Sequence, residues 1–436
     1  MRNFSLLHKA LAGSIFVRPL GMLLGLLVGV QLARGLGPAG YGIYGVALSV
    51  VTILGAFSDF GLPTLITREA SKALAVQDWP QFVGILRWAQ RKVVLISLVT
   101  VFCSVGYISF FGDQTATLSR TILIGLILIP VVAMQRNICA VIRSLNFIVL
   151  GQIPETIVRP LVMVVLLLVV LVVIDSGINP QVAMGFQVIS AILALTLSGL
   201  FLSRNKPVGS RHVVPEYSTT AWLQSVYPMA VTEWVRVLQG HIAVLVLALI
   251  VSESELGFFR AAVSLGAVVA LPLSIVNIVC MPLIANALSK NHLQELRGVL
   301  HFSVLSMFLG VGGFTLVILF AGEFVVGRVF GVDYAATLQP LKILSVGFFV
   351  GSFFGPGTVF LTMSGHEKCV TRSYVASLFF LVITTITFSQ VYGVTGASTS
   401  VACSFVLLCF LQWRNSNKLE STDISLIGAV RGHYHS

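Results

Sequence analysis

Long apolar runs, separated by short polar stretches, dominate the chain. They lie near 11–33, 41–62, 92–111, 119–141, 154–174 and 181–202, then near 222–250, 257–285, 300–320, 340–363, 371–390 and 394–413. Each approaches the length of about 20 residues at which a helix crosses hydrocarbon. The pattern predicts an all-α integral membrane protein of about twelve transmembrane helices. The alternating segments of a membrane β-barrel are absent. The longest polar stretch, Ser203–Thr219, carries Pro207 and Pro215. It divides the chain into a six-helix lobe over 1–202, a linker over 203–219 and a second six-helix lobe over 220–413. Residues 414–436 read as a cytoplasmic tail.

The two halves are similar to each other. Leu32–Val50 aligns without gaps to Leu247–Leu265 at an offset of 215. Ala70-Ser-Lys72 falls on Leu288-Ser-Lys290 at 218, and Asp113–Leu118 on Asp333–Leu338 at 220. Three matches in order, with a slowly drifting offset, indicate a duplication. An even number of helices per repeat makes the repeats parallel, so the axis relating them runs along the membrane normal.

Composition agrees with this reading. The 436 residues are 56% hydrophobic and only 10% charged, against roughly 25% charged in soluble domains. Such a chain cannot cover its own surface in water. The net charge of +11 reads as cytoplasmic loop charge rather than as a nucleic-acid footprint. With the N-terminus inside, nineteen Lys and Arg fall in inner segments, Arg136 and Arg143 among them, and five fall in outer ones. That bias puts both termini in the cytoplasm. The N-terminal apolar run has no A-x-A site and reads as a retained first helix. The six cysteines form no C-x-x-C, and Cys369 with His366 is too few ligands for a metal. There is no P-loop, H-E-x-x-H or G-x-S-x-G. Neither cofactor nor catalytic residues are expected.

Leu36-Gly-Pro-Ala-Gly-Tyr-Gly-Ile-Tyr44, Asp59-Phe-Gly-Leu62 and Arg68 resemble the opening signature of the polysaccharide (O-antigen, Wzx-type) flippases of the MATE/MOP superfamily. Leu256-Gly-Phe-Phe-Arg-Ala-Ala262 and Phe330-Gly-Val-Asp-Tyr334 are similar to later elements of that family. The resemblance spans about residues 5–413. Thr337 stands where the family often has Ala, and Glu233 and His241 stand near its usual Asp. The resemblance implies two six-helix lobes around a central cavity. It implies export of undecaprenyl-pyrophosphate-linked sugar repeat units across a bacterial inner membrane, for O-antigen or exopolysaccharide. It also implies a proton or sodium gradient as the drive, with a polysaccharide polymerase and chain-length regulator as partners.

Six charges in or beside the predicted helices stand out: Arg18, Asp59, Glu155, Arg159, Glu233 and Arg236. Each costs about 2.5–3.5 kcal/mol in the hydrocarbon, so each needs a reason. Glu155 and Arg159 are four apart, and Glu233 and Arg236 three apart, so each pair shares a helix face. Self-neutralisation is one reason; function is the other. Arg18, Arg236 and Arg159 are the candidates for holding a pyrophosphate, because guanidinium stays charged and forks onto phosphate oxygens. Glu233, Glu155 and Asp59 are the candidates for ion coupling. Asp59 beside Gly61 and Pro63 also suits a capping or hinge role. The repeat offset pairs Arg18 with Glu233 at one depth in the two lobes, where they are expected to face each other. His241 reads as a structural histidine. Gly21, Gly25 and Gly29 recur every four residues, which suits close helix packing.

Besides a non-transporting membrane scaffold, which would not need intramembrane charges at equivalent depths, two rival functions remain. One is a drug or organic-cation antiporter of the same superfamily, which a cavity rich in arginine would repel. The other is a membrane-bound polymerase or lipid-linked sugar transferase, which needs larger outer loops than these.

Overall fold

A computed structural model of the chain describes residues 2–113, 116–173, 178–210, 213–290, 292–420 and 423–431. Gln114 and Thr115 of the third repeat match, Ile174 at the end of the fifth predicted helix, and Arg211 of the linker lie outside the described residues. All regular structure among those described is helical. The helices are α1 (Arg2–Asp59), α2 (Leu62–Ala75), α3 (Trp79–Phe111), α4 (Thr117–Gly125), α5 (Leu128–Ser144), a π turn (Pro154–Val158), α6 (Arg159–Val173), α7 (Pro180–Asn205) and α8 (Thr219–Leu247). They continue as α9 (Glu253–Val269), α10 (Leu271–Ser289), α11 (Leu293–Val329), α12 (Leu338–Ser352), α13 (Gly357–Met363), α14 (Glu367–Glu420) and α15 (Leu426–Arg431).

Local chemistry sets several of the boundaries. The Asp78 carboxylate accepts from the Gln81 amide at 3.1 Å, and Pro80 sits in the first turn of α3. The Asn179 side chain caps α7 at 2.9 Å from the Val182 amide. Ser252 and Glu255 form a capping box at α9. Each satisfies amides that a helix start otherwise leaves without partners. The predicted helix over 257–285 is two helices, α9 and α10, broken at Ala270 just ahead of Pro272. The one over 119–141 is likewise divided into α4 and α5.

Among the described residues, eight helical segments are long and apolar enough to cross a membrane, or nine if the bent pair Val332–Ser352 with Gly357–Met363 is one span. Two helices are far longer than a bilayer needs. α1 has 58 residues and α14 has 54, or about 80–90 Å each at the α-helical rise. Each breaks at a glycine in the left-handed region, Gly37 at φ 66° and Gly393 at φ 55°, so each has room for two crossings.

The chain forms two compact units. One comprises Met1–Leu36 with Ile43–His241, the other Gly37–Gly42 with Ile242–Ser436. The first is centred on Leu62, Leu65 and Ile66 of α2, Phe82 and Ile85 of α3, and Trp222 of α8. Its linker is docked, with the Glu216 amide donating to the Pro80 carbonyl at 3.1 Å.

In the second unit two motif glycines meet backbone directly. A Cβ on Gly42 would collide with the Glu253 carbonyl, and one on Gly257 with the Pro38 carbonyl. The Tyr41 and Ser264 hydroxyls share a hydrogen bond of 3.1 Å beside them. The segment that follows α14 is also docked. Ile424 is 1% exposed among Ile284, Leu296 and Phe360, and the Leu426 amide donates to the Phe353 carbonyl at 3.0 Å, next to the Gly355–Gly357 break. Ile424→Ala is expected to cost about 2–5 kcal/mol, read as a lower unfolding temperature in detergent. An unchanged temperature would mean that this segment is not packed.

Candidate functional site

The site is built within the first unit, where α1 ends. Phe60 (φ 46°) and Gly61 (φ 68°) reverse the chain into α2. A Cβ on Gly61 would lie 2.7 Å from the Ala230 amide nitrogen of α8, so glycine is required there for space as well as for φ. The Trp234 indole donates to the Ala56 carbonyl at 2.9 Å and pins the last turn.

That turn buries Asp59, whose side chain is 4% exposed. Its Oδ2 accepts from Arg136 Nη1 of α5 at 2.7 Å. Arg136 Nε donates in turn to Glu155 Oε1 at 3.1 Å. One guanidinium thus bridges two carboxylates and ties three elements together. The capping role open to Asp59 is not the one it takes. Gly61 is the residue that precedes α2 and has no side chain to cap it, while Asp59 Oδ2 turns to Arg136 and its Oδ1 meets no hydrogen-bond partner among the described residues.

Glu155 lies in the π turn, which is flanked by Pro154 and Pro160 and closed by the Arg159 amide on the Pro154 carbonyl. A π turn alters helix register and is frequent at functional sites. Of the two readings open for Glu155 and Arg159, self-neutralisation is not what they show: Glu155 Oε1 accepts from Arg136 instead. Arg159 makes no ion pair among the described residues, and its buried Nε has no hydrogen-bond partner.

Beside the π turn lies a cavity of about 610 Å³. Arg18 of α1, Arg143 of α5, Glu155 and Arg159 line it, with the Gln152 and Gln187 amides. A second cavity of about 60 Å³ is lined by Asp59, Arg136 and Arg159, so Arg159 borders both. Gly151 lets Arg143 pack closely: a Cβ there would sit 2.6 Å from Arg143 Cγ, and Arg143 Nη1 donates to the Gly151 carbonyl at 3.3 Å.

The helix-one glycines divide their roles. A Cβ on Gly21 would sit 2.6 Å from the Thr156 carbonyl, whereas one on Gly25 would meet nothing within 4 Å. Gly21 therefore packs α1 on the π turn. Gly25, read as a packing position, opens onto the cavity instead.

The structure thus brings Arg18, Glu155 and Arg159 together and joins Asp59 to them through Arg136. It does not bring Arg18 to Glu233. Glu233 pairs with Arg236 three residues on, and neither lines the large cavity. His241 Nδ1 lies 3.2 Å from the Ser49 hydroxyl, a structural contact. Arg136 and Arg143, inner-segment charges by the sequence, belong to the site. The signal that separates them from loop residues is their spacing of seven, two turns on one face of an apolar run. Among the described residues no His, Cys, Asp and Glu cluster could hold a metal.

The fold and site define a helical membrane protein with an arginine-lined cavity inside one unit. The chain belongs to the polysaccharide biosynthesis protein family, whose model matches residues 12–288. Its fold is that of the MATE/MOP transporters. A multidrug resistance MATE family transporter of the MOP superfamily, in an inward-facing conformation, superposes with a TM-score of 0.74 at 12% identity, covering 92% of this chain and 94% of that one. The lipid II flippase MurJ, inward closed, gives 0.68 at 14% identity over 97% and 90%. A MOP superfamily transporter from Pyrococcus furiosus gives 0.66 at 11% identity over 95% and 96%. No curated protein matches the sequence.

Proposed function

We propose that the chain is a flippase that carries polyprenyl-pyrophosphate-linked oligosaccharide from the inner to the outer leaflet of a bacterial inner membrane, for O-antigen or exopolysaccharide. The observation that carries this reading is the large cavity, where Arg18, Arg143 and Arg159 stand together. Three guanidinium groups at membrane depth are costly to keep without an anionic ligand. A diphosphate linking lipid to sugar bears two negative charges and offers the oxygens that guanidinium forks engage. Membership of a polysaccharide biosynthesis family supports a sugar-bearing substrate. An organic cation would be repelled from the same wall.

In this reading Arg236 provides a further contact for the pyrophosphate. Glu233, Glu155 and Asp59 are the carboxylates that couple export to a proton or sodium gradient. Two six-helix lobes alternate access, both termini lie in the cytoplasm, and a polymerase and chain-length regulator act on the exported units. A strain lacking the protein is expected to accumulate lipid-linked repeat units facing the cytoplasm, scored by their resistance to periplasmic enzymes. Normal surface polysaccharide in that strain, with no second flippase present, would refute the assignment.

A further inference from the structure

We propose that Arg136 is a positioning residue that keeps Glu155 from neutralising Arg159 and Arg143. This rests on the reading of the large cavity as the diphosphate site. Among the described residues Glu155 is the one carboxylate lining that cavity, where Arg18, Arg143 and Arg159 also stand. It is four residues from Arg159 in the same helical run. A glutamate so placed is a permanent internal competitor for any anionic ligand, because it reaches the arginines without loss of translational freedom.

The structure engages this competitor from one side. Glu155 Oε1 accepts from Arg136 Nε at 3.1 Å. Arg136 is absent from the lining of the large cavity; it acts from behind the wall. It is anchored there because its Nη1 is held 2.7 Å from the nearly buried Asp59 carboxylate. Asp59 therefore orients the guanidinium, and the guanidinium holds Glu155. Only a planar fork serves two carboxylates along two edges at once; a lysine ammonium is a single point charge without that geometry. With Glu155 Oε1 engaged, no ion pair among the described residues joins that glutamate to the three guanidinium groups of the cavity.

A plain structural clamp joining α1, α5 and the π turn makes a different prediction, because neutralising Glu155 cannot repair a lost clamp. The test measures binding of farnesyl diphosphate to the purified full-length protein in nanodiscs. Asp59→Asn/Arg136→Gln avoids leaving Asp59 as an unpaired buried charge, and is expected to bind about ten-fold more weakly or worse, the scale of one charge-assisted contact. Adding Glu155→Gln to that pair is expected to restore binding close to wild type, although the clamp is still absent. Glu155→Gln alone is expected to bind at least as tightly as wild type. Monodispersity and melting temperature report whether each variant is folded. If wild type binds and the double and triple variants lose binding equally, the positioning role is overturned while the substrate reading survives. If wild type does not bind farnesyl diphosphate at all, the substrate reading falls and this inference with it.

Discussion

Arg18→Glu is expected to abolish export while the protein still inserts and folds. Arg18 is exposed on its helix and makes no ion pair among the described residues. Its replacement therefore breaks no packed contact. The effect is on the field in the cavity. Three arginines and one glutamate become two of each, and a dianion loses an attraction and gains a repulsion. Two unit charges about 4 Å apart interact by about 4 kcal/mol at an effective dielectric near 20. The reversal swings twice that, and a third of the swing weakens binding about a hundred-fold. Export is measured as surface polysaccharide against the amount of protein in the membrane. Wild-type export by Arg18→Glu would remove the cavity from the transport path.

Gly25→Phe is the second large effect, and its cause is steric rather than electrostatic. Gly25 lines the cavity, and a Cβ built there has open space around it. A phenyl ring can enter the cavity without moving backbone, and the helix gains by losing a glycine, by up to about 1 kcal/mol. Export is expected to fall to background with the melting temperature unchanged or raised. Gly21, one turn earlier, has no such room, since a Cβ there would lie 2.6 Å from the Thr156 carbonyl. A blocked Gly25→Phe with full stability is what separates a transport cavity from a packing void. Full export in that variant would show that the substrate passes elsewhere.

The contrast between these glycines shows where sequence reasoning reached its limit. A spacing of four identifies a helix stripe, but not which members touch a neighbour and which face a space. The membrane class and the helical content were legible because apolar length is a local property. The convergence of Arg18, Glu155 and Arg159 was partly legible, because ionised groups in apolar runs are costly wherever they fall. Arg136 was not, since its partners Asp59 and Glu155 lie on other elements and only tertiary packing joins them. For the same reason the i,i+4 rule chose Arg159 for Glu155: it weighs only neighbours on one helix, and a guanidinium held by Asp59 outcompeted that neighbour. Breaks such as the one ahead of Pro272 were readable in principle from the proline. The π turn announces itself only through Pro154 and Pro160, which serve ordinary helix starts equally well.

The short stretch Gly37–Gly42 has a consequence for how the molecule is made. It packs in the second unit, its Gly42 set against the Glu253 carbonyl and its Pro38 against Gly257. The ribosome delivers it long before Glu253 and Gly257 exist. Until then these glycines and Tyr41 have none of the surfaces they pack against. The second unit therefore cannot close until α9 emerges, and the nascent chain carries an unfinished seam through most of its insertion.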